Sequence, residues 1–329
     1  NLEKKYNEKD KTESEKYKWL YKNNFLNDDP IPSIEFTYEA AHKLVPEITI
    51  KDVNELSNIL ISNNNRVIST NSPENEQTII PKENDLKKIE EEIINSEISP
   101  YIDAISNEPL ISSLRAPGEV INSKTISTIG VTEYILSNGA KVVLKPTNYK
   151  NDEILFYAFS LGGNSLVSDE NYIAAQTSTE IITESGLGNF TKIELEKLLS
   201  DKVANVNVWI DDLSEGLKGN STPKDQETMF KLIYQYFNAP KVDSTAYLAF
   251  KSRTEGWLEN RNARPENVFR DTIQVTKSKN HFRQRPWSTD ILKEMDMNKS
   301  LEIFKDRFSD AGDFTFFFVG NFDIENIKK

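Results

Sequence analysis

The chain has 329 residues, with 40 Lys and Arg against 52 Asp and Glu and a formal net charge of −12. At 37% hydrophobic and 28% charged it can form a substantial core beneath a charged surface. Its acidity argues against nucleic acid as a partner, because phosphate repels such a surface. There is no cysteine, which excludes disulfides, thiol nucleophiles and thiolate metal sites, and no run approaches the roughly 18 apolar residues of a membrane span.

In chain order, residues 5–24 read as one charged helix with Tyr6, Tyr17, Trp19 and Leu20 as its apolar side, ended by Pro30 and Pro32. Phe36–Leu44 reads as a short helix stopped by Pro46. The next helix takes Thr49 as N-cap and Asp52 in its first turn, with Val53, Leu56, Ile59 and Leu60 at helical spacing. Asn63–Asn65 break it, and Arg66–Thr70 is expected to be a strand. Residues 72–125 then read as a Pro-punctuated linker around one acidic helix, Asn84–Ser96, too long for an ordinary connection within a domain.

A new domain opens near Ile126. Val131–Leu136 and Lys141–Leu144 alternate in polarity around Asn138-Gly139, the signature of a hairpin with a two-residue turn. Ile154–Phe159 is the next strand, and Glu170–Thr183 and Lys192–Leu199 are helices. Val203–Ile210 and Glu215–Ser221 pair antiparallel through a turn at Asp211–Ser214. Thr222-Pro223 opens a helix to Phe237. Helices follow at Ser244–Asn262, Pro265–Thr276 and Lys299–Phe308, before a buried strand at 314–320. Strands and helices in this order give an α+β domain whose antiparallel or mixed sheet packs with helices, not a doubly wound parallel sheet. Helix-then-strand recurs near 51–70 and 297–321, which two divergent copies of one domain would explain and a common local pattern would explain too.

Stretch 154–199, ILFYAFSLGGNSLVSDENYIAAQTSTEIITESGLGNFTKIELEKLL, runs strand, Gly-Gly, helix, Gly-rich break, helix. With VTEYILSNGAKVVLKPT at 131–147, STPKDQETMFKLIYQYFNAP at 221–240 and FTFFFVGNFD at 314–323, it resembles the insulinase/pitrilysin family of zinc peptidases, and the large bacterial four-domain members most closely. The resemblance implies a metallopeptidase-like domain at 126–329 that stands third in such a protein. It makes residues 1–71 the end of a preceding peptidase-like domain and 72–125 the central linker. It further implies a chain cut from a longer protein that carries zinc, whose zinc-bearing N-terminal half and peptide substrate are the partners, in the periplasm or alternatively the cytoplasm.

Active members carry His-x-x-Glu-His on the helix after Gly-Gly. Two imidazoles one turn apart bind zinc together, and the Glu takes a proton from bound water. Here the matching positions hold Gln176, Thr179 and Glu180. The distant third ligand of the family maps to Glu255, whose default reading is an ordinary helix-surface carboxylate. The two histidines, His42 and His281, lie away from the motif. No catalytic or metal-binding residue is therefore expected in this chain. Active members also hold peptide on an edge strand near the zinc by main-chain bonds, which need no particular side chain. That role falls on Val206, Asn207, Val208, Trp209 and Ile210, whose alternation core packing explains as well. Gly162-Gly163 and Gly186/Gly188 read as tight turns, not phosphate cradles. The mildly basic stretch around His281, with Arg283, Arg285 and Trp287, reads as a solvated loop or an anion contact. The expected role is a non-catalytic wall of a peptidase chamber. The rivals are an inactive homologue that binds peptide or partner, and a structural subunit of a larger complex.

Overall fold

A computed structural model describes residues 2–60, 66–71, 79–97, 99, 108–261 and 263–328. The chain divides into two compact units, residues 1–29 with 105–329, and residues 30–104. In chain order the helices are α1 (Leu2–Asn7), α2 (Ser14–Asn27), α3 (Ile34–Leu44), α4 (Ile50–Leu60), α5 (Glu83–Ile94), α6 (Tyr172–Ser185), α7 (Lys192–Leu198), α8 (Gln226–Asn238), α9 (Ser244–Arg261), α10 (Pro265–Lys277), α11 (Ile291–Glu294), α12 (Met297–Arg307) and α13 (Ile324–Ile327). The strands are β1 (Val120–Ile126), β2 (Val131–Leu136), β3 (Lys141–Pro146), β4 (Ile154–Leu161), β5 (Ala204–Ile210), β6 (Ser214–Ser221) and β7 (Thr315–Gly320).

All seven strands form one sheet in the larger unit, ordered β1-β2-β3-β7-β4-β6-β5. Only β3 and β7 run parallel, so the sheet is mixed and the fold α+β, as expected. Alternation sorts its two faces. Ile154, Phe156 and Ala158 of β4, Leu144 of β3, Leu217 of β6 and Phe318 of β7 are buried. They join Ile182, Met229, Leu232, Phe304 and Phe308 from α6, α8 and the α12 region in the main core. Stacked Phe304 and Phe308, with ring centroids 4.4 Å apart, and Phe237 edge-on to Phe314 at 5.1 Å, fill the space between helices and sheet. The opposite face is open. There Tyr157 stacks on Trp209 at 6.0 Å and Phe159 on Phe317 at 6.1 Å, with Leu155 and Leu161 exposed beside them.

Residues 2–13 lie along the β3–β4 connection. Glu8 is buried and accepts from the Asp152 N–H, Asn151 donates to the Asn7 carbonyl at 3.0 Å, and Lys150 pairs with Glu13 at 3.0 Å. In the smaller unit α3 is capped by Ser33 and α4 by the reciprocal Thr49–Asp52 pair the sequence signals. Val53, Leu56, Ile59 and Leu60 of α4 are all exposed.

Local expectations fail in five places. The helix expected over 5–24 is two helices, because Thr12 and Glu13 take extended backbone between them. Arg66–Thr70 forms no strand; an isolated strand has no partner for its main-chain groups, and Val67 is left exposed. The break assigned to Asn63–Asn65 and the helix end at Asn262 lie outside the described residues. The β2–β3 loop has three residues, not two: Leu136 N–H donates to the Ala140 carbonyl at 2.9 Å and Gly139 N–H back to Leu136 at 2.9 Å. Gly139 then sits at φ 93, the positive-φ bulge position of a three-residue hairpin. Finally β1, placed by the sequence inside the linker, adds a strand to the sheet edge, and α8 starts at Gln226 after Thr222 and Asp225 cap each other.

Candidate functional site

The Gly162-Gly163 turn at the end of β4 is bolted to the β5–β6 hairpin. Gly162 N–H donates to the Leu213 carbonyl, Asn164 N–H to Asp211 and Ser165 N–H to Asp212, each at 2.8 Å. Gly163 sits at φ 56, and a side chain there would strike the Asp211 carbonyl at 2.2 Å, so the close approach requires glycine. Its N–H points at the Glu215 carboxylate, which burial pushes above the ordinary Glu range against the pull of that N–H and of Arg307. Arg283 clamps the segment that follows. Its guanidinium donates to the Asn164 carbonyl at 2.8 Å, the Val167 carbonyl at 2.6 Å and the Asp169 carboxylate at 2.6 Å, and lies 4.8 Å from the Tyr172 ring centroid. It is neither the solvated side chain nor the anion contact expected for this stretch; its donors are spent on the fold. Arg285 likewise pairs with Glu294.

These restraints set the start of α6. Small residues Ala174, Ala175 and Ser178 let this helix pack closely, with Ser300 of α12 donating to the Ala174 carbonyl at 2.8 Å. Ile181 and Ile182 are fully buried. What remains on the accessible side is Gln176 and Glu180. With Glu184 they line a cleft of about 400 Å³ whose other wall is Arg253, Thr254 and Trp257 of α9. Thr179 is half-buried on α6 and is not among the residues lining this cleft. Glu255 is exposed on α9 and is not part of the cleft either: Phe250, Arg253, Thr254 and Trp257 face α6 at i, i+3, i+4 and i+7, and Glu255 falls off that face. Of the motif positions, the structure thus brings Gln176 and Glu180 together, without Glu255.

The cleft's chemistry does not fit zinc. It offers an amide, two hydroxyls and two carboxylates, and Glu184 is already committed to Lys192 and Arg253, each at 2.7 Å. The hydrogen bond from Lys192, then that from Arg253, hold the Glu184 carboxyl below its usual range. A guanidinium facing the motif helix repels a divalent ion. His281 is occupied as a cap, accepting from the Arg283 N–H at 3.2 Å, and His42 belongs to the other unit. Among the described residues no group of three or more His, Cys, Asp or Glu is placed to hold a metal.

On its other side Gln176 takes part in a chain of hydrogen bonds. Its amide nitrogen donates to the Tyr172 hydroxyl at 2.9 Å, and that hydroxyl donates to Asp212 at 3.3 Å. Burial first, then the Asp212 charge, push the Tyr172 hydroxyl up to about 12. Beside this relay β5 forms the sheet edge, paired only with β6. Asp211 N–H bonds Ser214 and the Val203 carbonyl accepts from Thr222. Odd-numbered residues therefore turn their main-chain groups toward β6, while Val206, Val208 and Ile210 turn theirs outward. Val206 is buried by its side chain and Asn207 is exposed. Tyr172 and Asp212 are not singled out as site residues in the sequence, and Arg283 and Trp287 are noted there only as part of a solvated loop or an anion contact.

No family model matches the chain. A PQQL-like zinc protease of Arabidopsis thaliana is 26% identical over 324 residues, which is 98% of this chain and 31% of that protein. A probable zinc protease PqqL of Haemophilus influenzae is 21% identical over 199 residues, 60% of this chain and 21% of that one. The chain is thus similar in sequence to proteins named as zinc proteases. The fold agrees: the crystal structure of the periplasmic protease PqqL from Escherichia coli superposes with a TM-score of 0.60 at 18% identity, over 99% of this chain and 36% of that one. The chain spans about a third of the length of the Arabidopsis relative it matches. No helix among its described residues is long and apolar enough to cross a membrane.

Proposed function

We propose that this chain is a non-catalytic part of a zinc metalloendopeptidase: a wall of the substrate chamber that holds peptide and leaves cleavage to a zinc-bearing half elsewhere in the protein. The observation that carries this reading is the cleft face of α6, where Gln176 and Glu180 stand opposite Arg253 in place of paired imidazoles. An amide, a carboxylate and a facing guanidinium neither retain zinc nor lower the pKa of a bound water. The open edge of β5 supports the retained half of the role. Outward main-chain groups at Val206, Val208 and Ile210 can pair with any extended peptide, whatever its side chains. In this reading residues 126–329 are the third peptidase-like domain, 72–125 the linker and 1–71 the end of the domain before it. The periplasm, where the E. coli neighbour resides by its description, is the proposed compartment.

The test is peptide binding and turnover by the purified chain with zinc present. We expect saturable binding of extended peptides without cleavage, weakened about tenfold by Val208→Pro, which deletes one outward N–H. Proline is tolerated on an edge strand where the N–H faces outward, so the fold survives the change. Zinc-dependent cleavage by this chain would overturn the proposal.

A further inference from the structure

The hairpin side of Gln176 holds a second pocket, of about 520 Å³, between Asn164, Gln176, Ile210, Asp211, Asp212 and Trp287. Two of its polar groups are acceptors left without a partner. The Asn164 side-chain oxygen is buried without a hydrogen-bond partner in a residue only 3% exposed, and the Gln176 side-chain oxygen is likewise buried and unpartnered. The orientation of Gln176 follows from the relay. Tyr172 has one hydroxyl proton and gives it to Asp212, so it accepts from the Gln176 nitrogen, which leaves the Gln176 oxygen as the free atom. The backbone of Asn164 is fixed by Asp211 on one side and Arg283 on the other, so its side chain cannot swing away with the loop. Two carboxylates, Asp211 and Asp212, stand at the exposed rim, and no Lys, Arg or His lines the pocket.

Leaving buried acceptors unpartnered costs stability, and such groups in folded proteins are commonly answered by a bound water, ion or ligand. The ligand these acceptors require is a multivalent donor with positive charge: two amide oxygens at the base, two carboxylates at the rim, and an indole to lie against a cationic head. Ile210, the last outward-facing position of β5, borders the same pocket. We propose that this pocket receives the guanidinium or ammonium group of an arginine or lysine side chain carried by a peptide paired to β5. The peptide part rests on the reading of β5 given above; the cation selectivity rests on the pocket alone.

Two measurements on the full chain separate these. In the first, short extended peptides that differ only in carrying arginine, citrulline or norleucine at one position are titrated against the wild type, Asp212→Asn, Gln176→Leu and Val208→Pro. The arginine peptide is expected to bind about tenfold or more tighter than the citrulline peptide, as a charge-assisted hydrogen bond implies. Asp212→Asn, which keeps an oxygen to accept from Tyr172 at an exposed position, and Gln176→Leu are expected to abolish that preference. In the second, n-butylguanidinium is titrated while the side-chain amide resonances of Asn164 and Gln176 are followed by NMR. Saturable shifts that disappear in Asp212→Asn are expected. Equal affinity for arginine and citrulline peptides, with both weakened by Val208→Pro, refutes the cation pocket and leaves the β5 reading standing. Saturation by n-butylguanidinium with no peptide bound supports the pocket and refutes the β5 reading. Unshifted amides and no arginine preference refute the pocket outright.

Discussion

Gln176 and Trp287 are shared by two clefts that differ in almost everything else. On the α9 side Glu184 is held by Lys192 and Arg253, and the wall opposite the motif helix carries positive charge. On the hairpin side the acceptors of Asn164 and Gln176 stay open, the rim is acidic and no base lines the pocket. The lesson is that one helix presents two electrostatically different sides. The α9 side is partly neutralised by Arg253, and the neighbouring side presents open acceptors suited to a cation that brings its own hydrogen-bond donors.

Breaking the acceptor side at its support has the largest expected effect. Arg283→Ala removes three hydrogen bonds and a ring contact from the turn that carries Asn164, and should lower unfolding free energy by about 2–4 kcal/mol in a urea titration. Arg283→Lys should recover little, because one ammonium cannot span the same three acceptors.

A smaller effect sharpens the contrast through pH. The hydroxyl of Tyr172 ionises in the folded chain at about 12, above its ordinary 10.0, so the folded state favours the neutral form. Its contribution to stability is complete below about pH 10 and is lost as pH rises toward 12. Following the ring resonances of Tyr172 itself by NMR should place its titration there, since burial also raises Tyr236 and Tyr247. Asp212→Asn, by removing the neighbouring charge, should bring the Tyr172 hydroxyl part of the way back toward 10 while burial keeps it above. The smallest effect lies on the neutralised side. Arg253→Ala breaks an ion pair whose arginine is exposed, so stability should change by no more than about 1 kcal/mol. The Glu184 carboxyl should rise toward its ordinary range while Lys192 still holds it low, measurable by NMR titration.

The central strands and the α6 helix were legible because their residues answer to local rules. Alternation around Asn138-Gly139 signals a hairpin whatever the rest of the chain does, and the Gly-Gly turn must precede a helix packed beneath the sheet. β1 was not legible: in VINSKTI only Ile126 is even partly covered, so no buried face writes a period into the sequence. The strand expected at Arg66–Thr70 shows the converse, a β-prone string without a neighbour to pair with. In the site, Gln176 and Glu180 follow from the motif's spacing. The set of α9 residues that faces them follows from helical period, with Phe250 and Trp257 as its markers and Glu255 outside it. Arg283 reaches Asp169, Val167 and Asn164 across more than a hundred residues, as its 114-residue separation from Asp169 illustrates. Such a contact, like the unpartnered oxygen of Asn164, exists only once the chain is folded.

The most direct test of the non-catalytic assignment is zinc retention after equilibrium dialysis, compared between the wild-type chain and a Gln176→His/Thr179→Glu/Glu180→His variant. The two introduced imidazoles stand one turn apart on the cleft face of α6, so the variant should bind zinc more tightly than the wild type, which should wash free of it. A wild-type chain that holds one zinc through dialysis would contradict the account.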